Sequence, residues 1–471
     1  MSFFNLQKDI SLGNNSCIDL VSEFLLNIQK KRDLNAFIEV FEEESVLQAK
    51  NIDKKIADGT AGKLAGLVVS IKDLLCLKDH QVTGGSNVLR NFTSLYTATA
   101  IEHLLKEDAI IIGRTNCDEF GMGSSNENSF YGPVKNAADI TKVPGGSSGG
   151  AAVSVQLGGC QVAIGSDTGG SVRQPAAFCG LYGLKPTYSR ISRFGLLSYA
   201  SSFDTIGVLS KTLEDNARVF ETMAGYDPKD STSSKVPVKK IDFRVPKKKY
   251  KVAYFDYALH EEGVDPSIRE RIKENIDNLR ADGNMVEEIS FPLTEYVLPV
   301  YYILTTAEAS SNLERYDGVR YGYRDANVSD LESLYKLSRS HGFGEEVKRR
   351  IFLGTFVLSA NYYDAYYIKA QKARRLIREA TREIFKKYDF ILGPVAATNA
   401  FPLQSKNDDP LAMYLSDLYT VQSSVAGTPA ISLPQGKDKN GLPIGIQVMA
   451  DDYKEAELYA FSNYLLKLGR L

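Results

Sequence analysis

The sequence predicts an α/β fold built on a large mixed β-sheet covered by helices on both faces. Two observations lead there. Short apolar runs alternate with helical patterns along much of the chain, the signature of a sheet covered by helices. Strand-like segments also lie on either side of a long helical stretch, which favours one large domain over residues 1–471 rather than separate modules.

The elements follow in order. Helices fill about 1–58, as "IDLVSEFLLNIQKKR" and "EEESVLQAKNIDKKIADG", the second ending at Gly59. A core segment of about 60–225 comes next. "LAGLVVSIKDLL" reads as a strand, "TATAIEHLLKEDA" as a helix and "AIIIGRT" as a buried strand. "AAVSVQLG" is a short helix and "CQVAIGSD" another strand. Residues 226–251 look like a connector, polar and Pro-containing in "YDPKDSTSSKVPVKK" and lysine-rich through "VPKKKYK". A strand–helix–strand unit then opens at "KVAYFDY". In its helix Asp265 caps, Pro266 takes the first turn, and Ile268, Ile272, Ile276 and Leu279 form an apolar stripe. "NMVEEISF" closes the unit. About 294–388 is mostly helical, within the same domain, and ends in the basic "KAQKARRLIREATREIFKKYD". "FILGPV", "AISLPQG" and "IGIQVMA" read as strands, and "KEAELYAFSNYLLKLG" as a closing helix.

Composition narrows the function. At 43% hydrophobic and 24% charged residues the chain is not disordered over most of its length. A formal charge of −2 gives no global pull toward nucleic acid or an anionic membrane. Five cysteines, an odd number with no CxxC pair, fit reduced thiols better than a metal or disulfide framework. The opening "MSFFNLQKDISLGNNS" has no basic n-region or apolar h-region, and no apolar run approaches a membrane span. The expected location is the cytoplasm.

Residues 143–180, "VPGGSSGGAAVSVQLGGCQVAIGSDTGGSVRQPAAFCG", carry the chemistry. Nine glycines fall between Gly145 and Ser171, far above the chain average of 37 in 471. That density permits positive φ and close backbone approach to a ligand. A flexible linker is a poor fit, because strand-like "CQVAIGSD" lies inside the stretch. A phosphate-gripping loop of the GxxxxGK[ST] type lacks its lysine. The remaining reading is a nucleophile on a tight turn: Ser171 after two glycines, with Pro175 in the first turn of a short helix. Amides of Thr168, Gly169, Gly170 and Ser171 could then converge on an oxyanion.

A serine nucleophile needs a base. None of the four histidines stands in a motif. A lysine can serve only if it is neutral near pH 7, which lowers its pKa by roughly three units at a cost of about 4 kcal/mol. Burial supplies this. Lys72, at the end of the apolar "GLVVSIK", is the candidate; its bland alternative is a snorkelling edge lysine.

These residues identify a resemblance. "SIKD", "PGGSSGG" and "GSDTGGSVRQPAAFCG" resemble the amidase signature family. "GRTNCDEFGMGSSNENSFYGPVKN", "KPTYSRISRFGL", "ASSFDTIG" and "KRRIFLGTFVLSANYYDAYY" are similar to its glutamine-hydrolysing members that serve tRNA-dependent amidotransferases. The resemblance implies the amidase signature fold and a Ser–Ser–Lys triad. Ser171 is its nucleophile, Lys72 its base, and Ser147 a relay preceded by a non-proline cis peptide. Ser147 is preferred to Ser148 on the family's spacing. For free glutamine it implies Arg350 (over Arg349), Asp417 and Tyr302 as binding residues. It further implies a heterotrimer with subunits B and C. The partner uses ATP and Mg and makes most contacts with mischarged tRNA, so this chain needs no cofactor or metal of its own. The lysine-rich connector and the basic 369–387 helix read as solvated faces rather than RNA contacts. Two stretches depart from the family pattern, "SSVAG" at 423–427 and "ATNAFPL". A stand-alone amidase acting on another carboxamide, and a catalytically silent scaffold, are the competing readings.

Overall fold

A computed structural model describes residues 3–244, 249–260, 263–405 and 410–469. One sheet takes strands from nearly the whole chain: β1 (Phe37–Val40), β2 (Val68–Lys72), β3 (Ile110–Thr115), β4 (Val162–Asp167), β5 (Tyr182–Lys185), β6 (Thr205–Ser210), β7 (Lys251–Phe255), β8 (Met285–Ile289), β9 (Phe390–Pro394), β10 (Ala430–Lys437) and β11 (Pro443–Ala450). Their spatial order is β1-β3-β2-β4-β6-β5-β10-β11-β9-β7-β8. The sheet is mixed. β2 runs parallel to β3 and β4, and β7 parallel to β8 and β9, while the middle pairs are antiparallel.

Both faces are covered, and successive side chains show it. In β3, Ile110 and Ile112 pack into one apolar cluster with Leu20, Val21 and Ala151, whereas Ile111 joins another with Ile101, Leu104 and Phe220. In β9, Ile391 meets Leu304 and Val347 while Phe390 and Leu392 face Ile272 and Phe461. A strand's period of two places alternate residues on opposite faces, so such strands read as continuous apolar runs rather than alternating ones.

The sequence-predicted strands and helices fall where expected, with further elements that the pattern does not reveal. Among these are β5, β6, a first helix, Phe3–Ser11, and the helices Leu213–Met223 and Val421–Ala426, while β1 interrupts the stretch of about 1–58 expected to be helical. The strand–helix–strand unit has the expected details. Asp265 caps helix Pro266–Ala281 by accepting from the Ser267 amide, and Ile268, Ile272, Ile276 and Leu279 are buried. The 226–251 connector contains no helix or strand among its described residues up to β7, but it is pinned to the body. Asp227 accepts from Thr99 and Ser192, and Asp230 from the Arg193 amide. Its run at 245–248, within "VPKKKYK", lies outside the described residues. Among the described residues no helix is long and apolar enough to cross a membrane.

The basic 369–387 region is also less basic than it reads. In helix Lys369–Phe385, Arg375 pairs with Glu379, while Arg378 and Arg382 both reach Asp452. Arg374 turns inward over the Phe203 ring. These charges are spent within the chain.

Helices Thr294–Asn312 and Glu345–Leu358 pack closely at Gly354, where a Cβ would lie 2.0 Å from the Thr306 carbonyl oxygen. Both partners there are backbone or short side chain and cannot swing away. Gly354→Ala should therefore cost about 1–3 kcal/mol of overpacking. A lowering of the thermal midpoint by roughly 1–5 °C is expected; an unchanged midpoint would mean that the two helices part freely.

Candidate active site

Parallel pairing sets up the site. Ile71 of β2 stands beside Ile164 of β4, so the C-terminal ends of the two strands emerge together. β2 ends at Lys72, and β4 ends at Ser166 and Asp167, just before the turn carrying Ser171. The loop bearing Ser147 and Ser148 enters helix Gly149–Gln156 beside them, through a cis peptide between Gly146 and Ser147.

Lys72 is fully buried. Its Nζ lies 2.7 Å from Ser147 Oγ, 2.9 Å from Ser148 Oγ and 2.9 Å from Ser166 Oγ. A neutral amine has two hydrogens and one lone pair, which suits three hydroxyl neighbours that can each donate or accept. Burial pushes the Lys72 pKa down to about 8, against the opposing pull of Asp118, Asp167 and Asp204. Ser147 and Ser148 both touch the amine, so contact with Lys72 alone does not separate them.

The two serine-bearing loops are joined by the Ser148 amide, which donates to the Ser171 carbonyl at 3.1 Å. The Ser171 side chain makes no hydrogen bond among the described residues, and the residue is 8% exposed. Its turn is held tightly. Asp167 accepts from the Gly170 amide at 2.9 Å and the Val172 amide at 3.2 Å, and it pairs with the buried Arg173. This corrects one expectation. The Gly170 amide is already engaged by Asp167, so it is not a free oxyanion donor. The amides of Thr168, Gly169 and Ser171 carry no hydrogen bond among the described residues.

Arg350, Tyr302 and Asp417 come from three distant segments and meet. The Tyr302 hydroxyl donates to Asp417 Oδ2 at 2.8 Å, and Ser124 donates to Oδ1 at 2.7 Å. Burial raises the Asp417 carboxyl to about 6. Arg350 lies 5.5 Å from the ring centres of Tyr199, Tyr302 and Tyr414. It donates to Tyr199 at 2.7 Å and to Glu346 at 2.8 Å. The arginine and the aspartate are thus linked through Tyr302, with Glu346 as the arginine's own ion partner. Arg349 instead points outward, its side chain 44% exposed and paired with the other Glu346 oxygen.

This cluster adjoins the turn that carries Ser171. A Cβ on Gly169 would strike the Tyr301 hydroxyl at 2.4 Å, and one on Gly170, at φ +143°, would strike Thr420 Oγ1 at 2.3 Å. Tyr301 neighbours Tyr302, and Thr420 lies three residues beyond Asp417, in a turn closed by its own amide on the Asp417 carbonyl. Sequence reasoning missed Ser124, Ser166, Tyr199, Glu346, Tyr414 and Thr420. Only Glu346 carried a signal, its i,i+4 spacing to Arg350.

With this geometry in place, the comparisons are direct. A model of the amidase family matches residues 19–459. The chain belongs to the amidase family. This amidase is 47% identical over 475 residues to the A subunit of glutamyl-tRNA(Gln) amidotransferase from Chlorobium phaeobacteroides (strain BS1), covering 98% of each chain. It is likewise 47% identical over 454 residues to the protein of that name from Ruthia magnifica, covering 94% of this chain and 92% of the other. Among solved structures, the A subunit of Thermotoga maritima glutamyl-tRNA(Gln) amidotransferase matches with a TM-score of 0.77 at 35% identity, over 95% of this chain and 92% of that one. A structure described as an amidase matches with a TM-score of 0.83 at 25% identity, over 99% of both chains.

The buried amine has a measurable consequence for this amidase. Its folded-state pKa lies below the unfolded 10.5, so between about pH 8 and 10.5 the unfolded chain holds a proton that the folded one has lost. Stability therefore rises with pH in that window. Relative to Lys72→Met, wild type should gain about 3 kcal/mol between pH 7.5 and 10.5 in urea titrations. A pH-independent difference would place the charged ammonium in the folded state.

Proposed function

We propose that this chain is the glutaminase subunit of a tRNA-dependent amidotransferase, hydrolysing glutamine with a Ser–Ser–Lys triad. The observation that carries the reading is the Tyr302–Arg350–Asp417 cluster packed against the nucleophile turn. A simple amide has no use for a buried cation and a buried carboxylate side by side. Free glutamine presents an α-carboxylate to the first and an α-ammonium to the second. The full-length similarity to chains named as the A subunit of glutamyl-tRNA(Gln) amidotransferase supports the same assignment.

In the proposed reaction neutral Lys72 takes the Ser147 proton as Ser147 takes that of Ser171. Ser171 Oγ attacks the carboxamide carbon. The oxyanion faces the free amides of Thr168, Gly169 and Ser171, each such donor being worth roughly 3–4 kcal/mol. Collapse breaks the C–N bond, and the proton held by Lys72 returns through Ser147 to the leaving nitrogen, releasing ammonia. Water, activated by the same base, attacks the glutamyl ester to release glutamate and restore Ser171. The ammonia serves amidation of Glu-tRNA(Gln) by a partner subunit, with ATP and Mg used there and a third subunit completing a cytoplasmic heterotrimer.

Ser171→Ala should abolish glutaminase activity in a chain that still associates with its partner subunits. Lys72→Arg should be nearly as inactive, because guanidinium stays protonated. Near-wild-type ammonia release by Ser171→Ala would overturn the nucleophile assignment. Full activity on unrelated amides with none on glutamine would favour a stand-alone amidase.

The pH profile of kcat/KM for glutamine offers an independent check, since it reports free-enzyme ionisations. Lys72 must be neutral, so the logarithmic profile should fall with a slope of one below about 8. Asp417 must be ionised to meet the ammonium, so the slope should steepen to two below about 6. Asp417→Asn should lose that second break along with most of the affinity. A lower break that persists in this variant would assign it to another group.

A further inference from the structure

The nucleophile turn is anchored residue by residue from three different parts of the chain. The Thr168 hydroxyl donates to Asp204 Oδ1 at 2.7 Å. The Gly170 amide donates to Asp167 Oδ1 at 2.9 Å. The Gly169 carbonyl accepts from Thr420 Oγ1 at 2.5 Å. The last two bonds grip the same peptide plane, that between Gly169 and Gly170, from its carbonyl and its amide ends. A peptide unit is planar, with rotation available only at the flanking φ and ψ. With Thr168 tied to Asp204 before this plane and the Val172 amide tied to Asp167 after it, holding the plane restricts the rotations that would turn the neighbouring amides of Gly169 and Ser171.

Thr420 is also bound into the substrate end of the site. Its amide donates to the Asp417 carbonyl at 3.0 Å, and its own carbonyl accepts from Arg173 at 2.8 Å. Arg173 continues to Ser423 at 2.7 Å and Ser424 at 3.1 Å, the two serines of the "SSVAG" departure, and pairs with Asp167. The Thr420 hydroxyl has a second acceptor in reach, the Asp417 carbonyl at 3.0 Å, but the Gly169 carbonyl is the closer. Thr420 is fully buried, so no water competes for that hydrogen.

We propose that Thr420 is a positioning residue that aligns the oxyanion-facing amides of the nucleophile turn and ties their orientation to the backbone bearing Asp417. This inference rests on the acyl-transfer reading of Ser171. Thr420 touches no reacting atom; it acts through the Gly169–Gly170 peptide. Its loss misaligns donors rather than removing one. The effect on kcat should thus fall below the roughly 10²–10³-fold cost of deleting an oxyanion donor, and KM should move little, because ground-state glutamine is held by Arg350 and Asp417.

Thr420→Val keeps the shape and removes the hydroxyl. Glutaminase assays of the chain with its partner subunits should show kcat lower by about 10–100-fold, with KM within about twofold of wild type. Thr420→Ser, which restores the hydroxyl but not the methyl, should recover kcat to within about threefold. The rising pH limb set by Lys72 should keep its midpoint in both variants, since only amplitude is affected. If Thr420→Val folds poorly, the comparison passes to Thr420→Ala against Thr420→Ser. Wild-type kcat in a variant lacking the hydroxyl, a loss that Ser does not recover, or a displaced pH limb would each overturn the proposal. Ser171→Ala separates the two readings: if that variant stays active the acyl-transfer reading fails, whatever Thr420 does.

Discussion

A lysine amine sealed from solvent at the end of β2 organises this molecule. Burying the charged form is costly, so the fold must either neutralise the amine or surround it with anions. It does some of each. Three hydroxyls contact Nζ, and the nearby carboxylates of Asp118, Asp167 and Asp204 moderate the shift rather than abolish it. The resulting value near 8 leaves a minority of the amine neutral at physiological pH. Hydroxyls suit both protonation states, since each can donate to a lone pair or accept from an ammonium. Carboxylates in direct contact would have fixed the charge.

The same economy governs the floor beneath the Ser171 turn. Asp167 and Arg173 are both fully buried, and each fills its remaining hydrogen-bonding capacity with backbone or hydroxyl partners. A buried ion pair contributes little net stability unless so satisfied. Here its return is rigidity: the carboxylate holds the turn's amides while the guanidinium locks the turn to helix Val421–Ala426. Two neighbouring strand ends, one lysine and one ion pair thus position chemistry drawn from residues more than three hundred positions apart.

How much of this was legible in the sequence depends on range. Strands buried on both faces, such as "AIIIGRT" and "IGIQVMA", announce themselves as apolar runs, and the Asp265–Pro266 helix start follows from local capping rules. β5, "YGLK", and β1, "FIEV" at the sheet edge, escaped notice because each is only four residues long, whereas β6, "TIGVLS", is as long as β3 and its length does not explain the miss. Lys72, Ser147 and Ser171 lie in compact motifs and could be named individually. Ser124 and Thr420 could not, because their meaning comes from partners 293 and 251 residues away. The Gly170 amide was misjudged for a related reason. A turn's donors look equivalent in sequence, and only the placement of Asp167 reveals which one is occupied.

The pairing of Arg350 with Glu346 bears on how the pocket empties. Glu346 divides its two oxygens between Arg350 and the outward Arg349, whereas Asp417 is held only by the hydroxyls of Ser124 and Tyr302, so the carboxylate nearer the Ser171 turn keeps its charge uncompensated by a direct ion pair. Glutamine in the proposed reaction enters as a neutral zwitterion and meets no net repulsion. Glutamate leaves with one more negative charge, in surroundings of low polarity where like charges are felt strongly. The turnover that makes the acid also makes it an unwelcome guest.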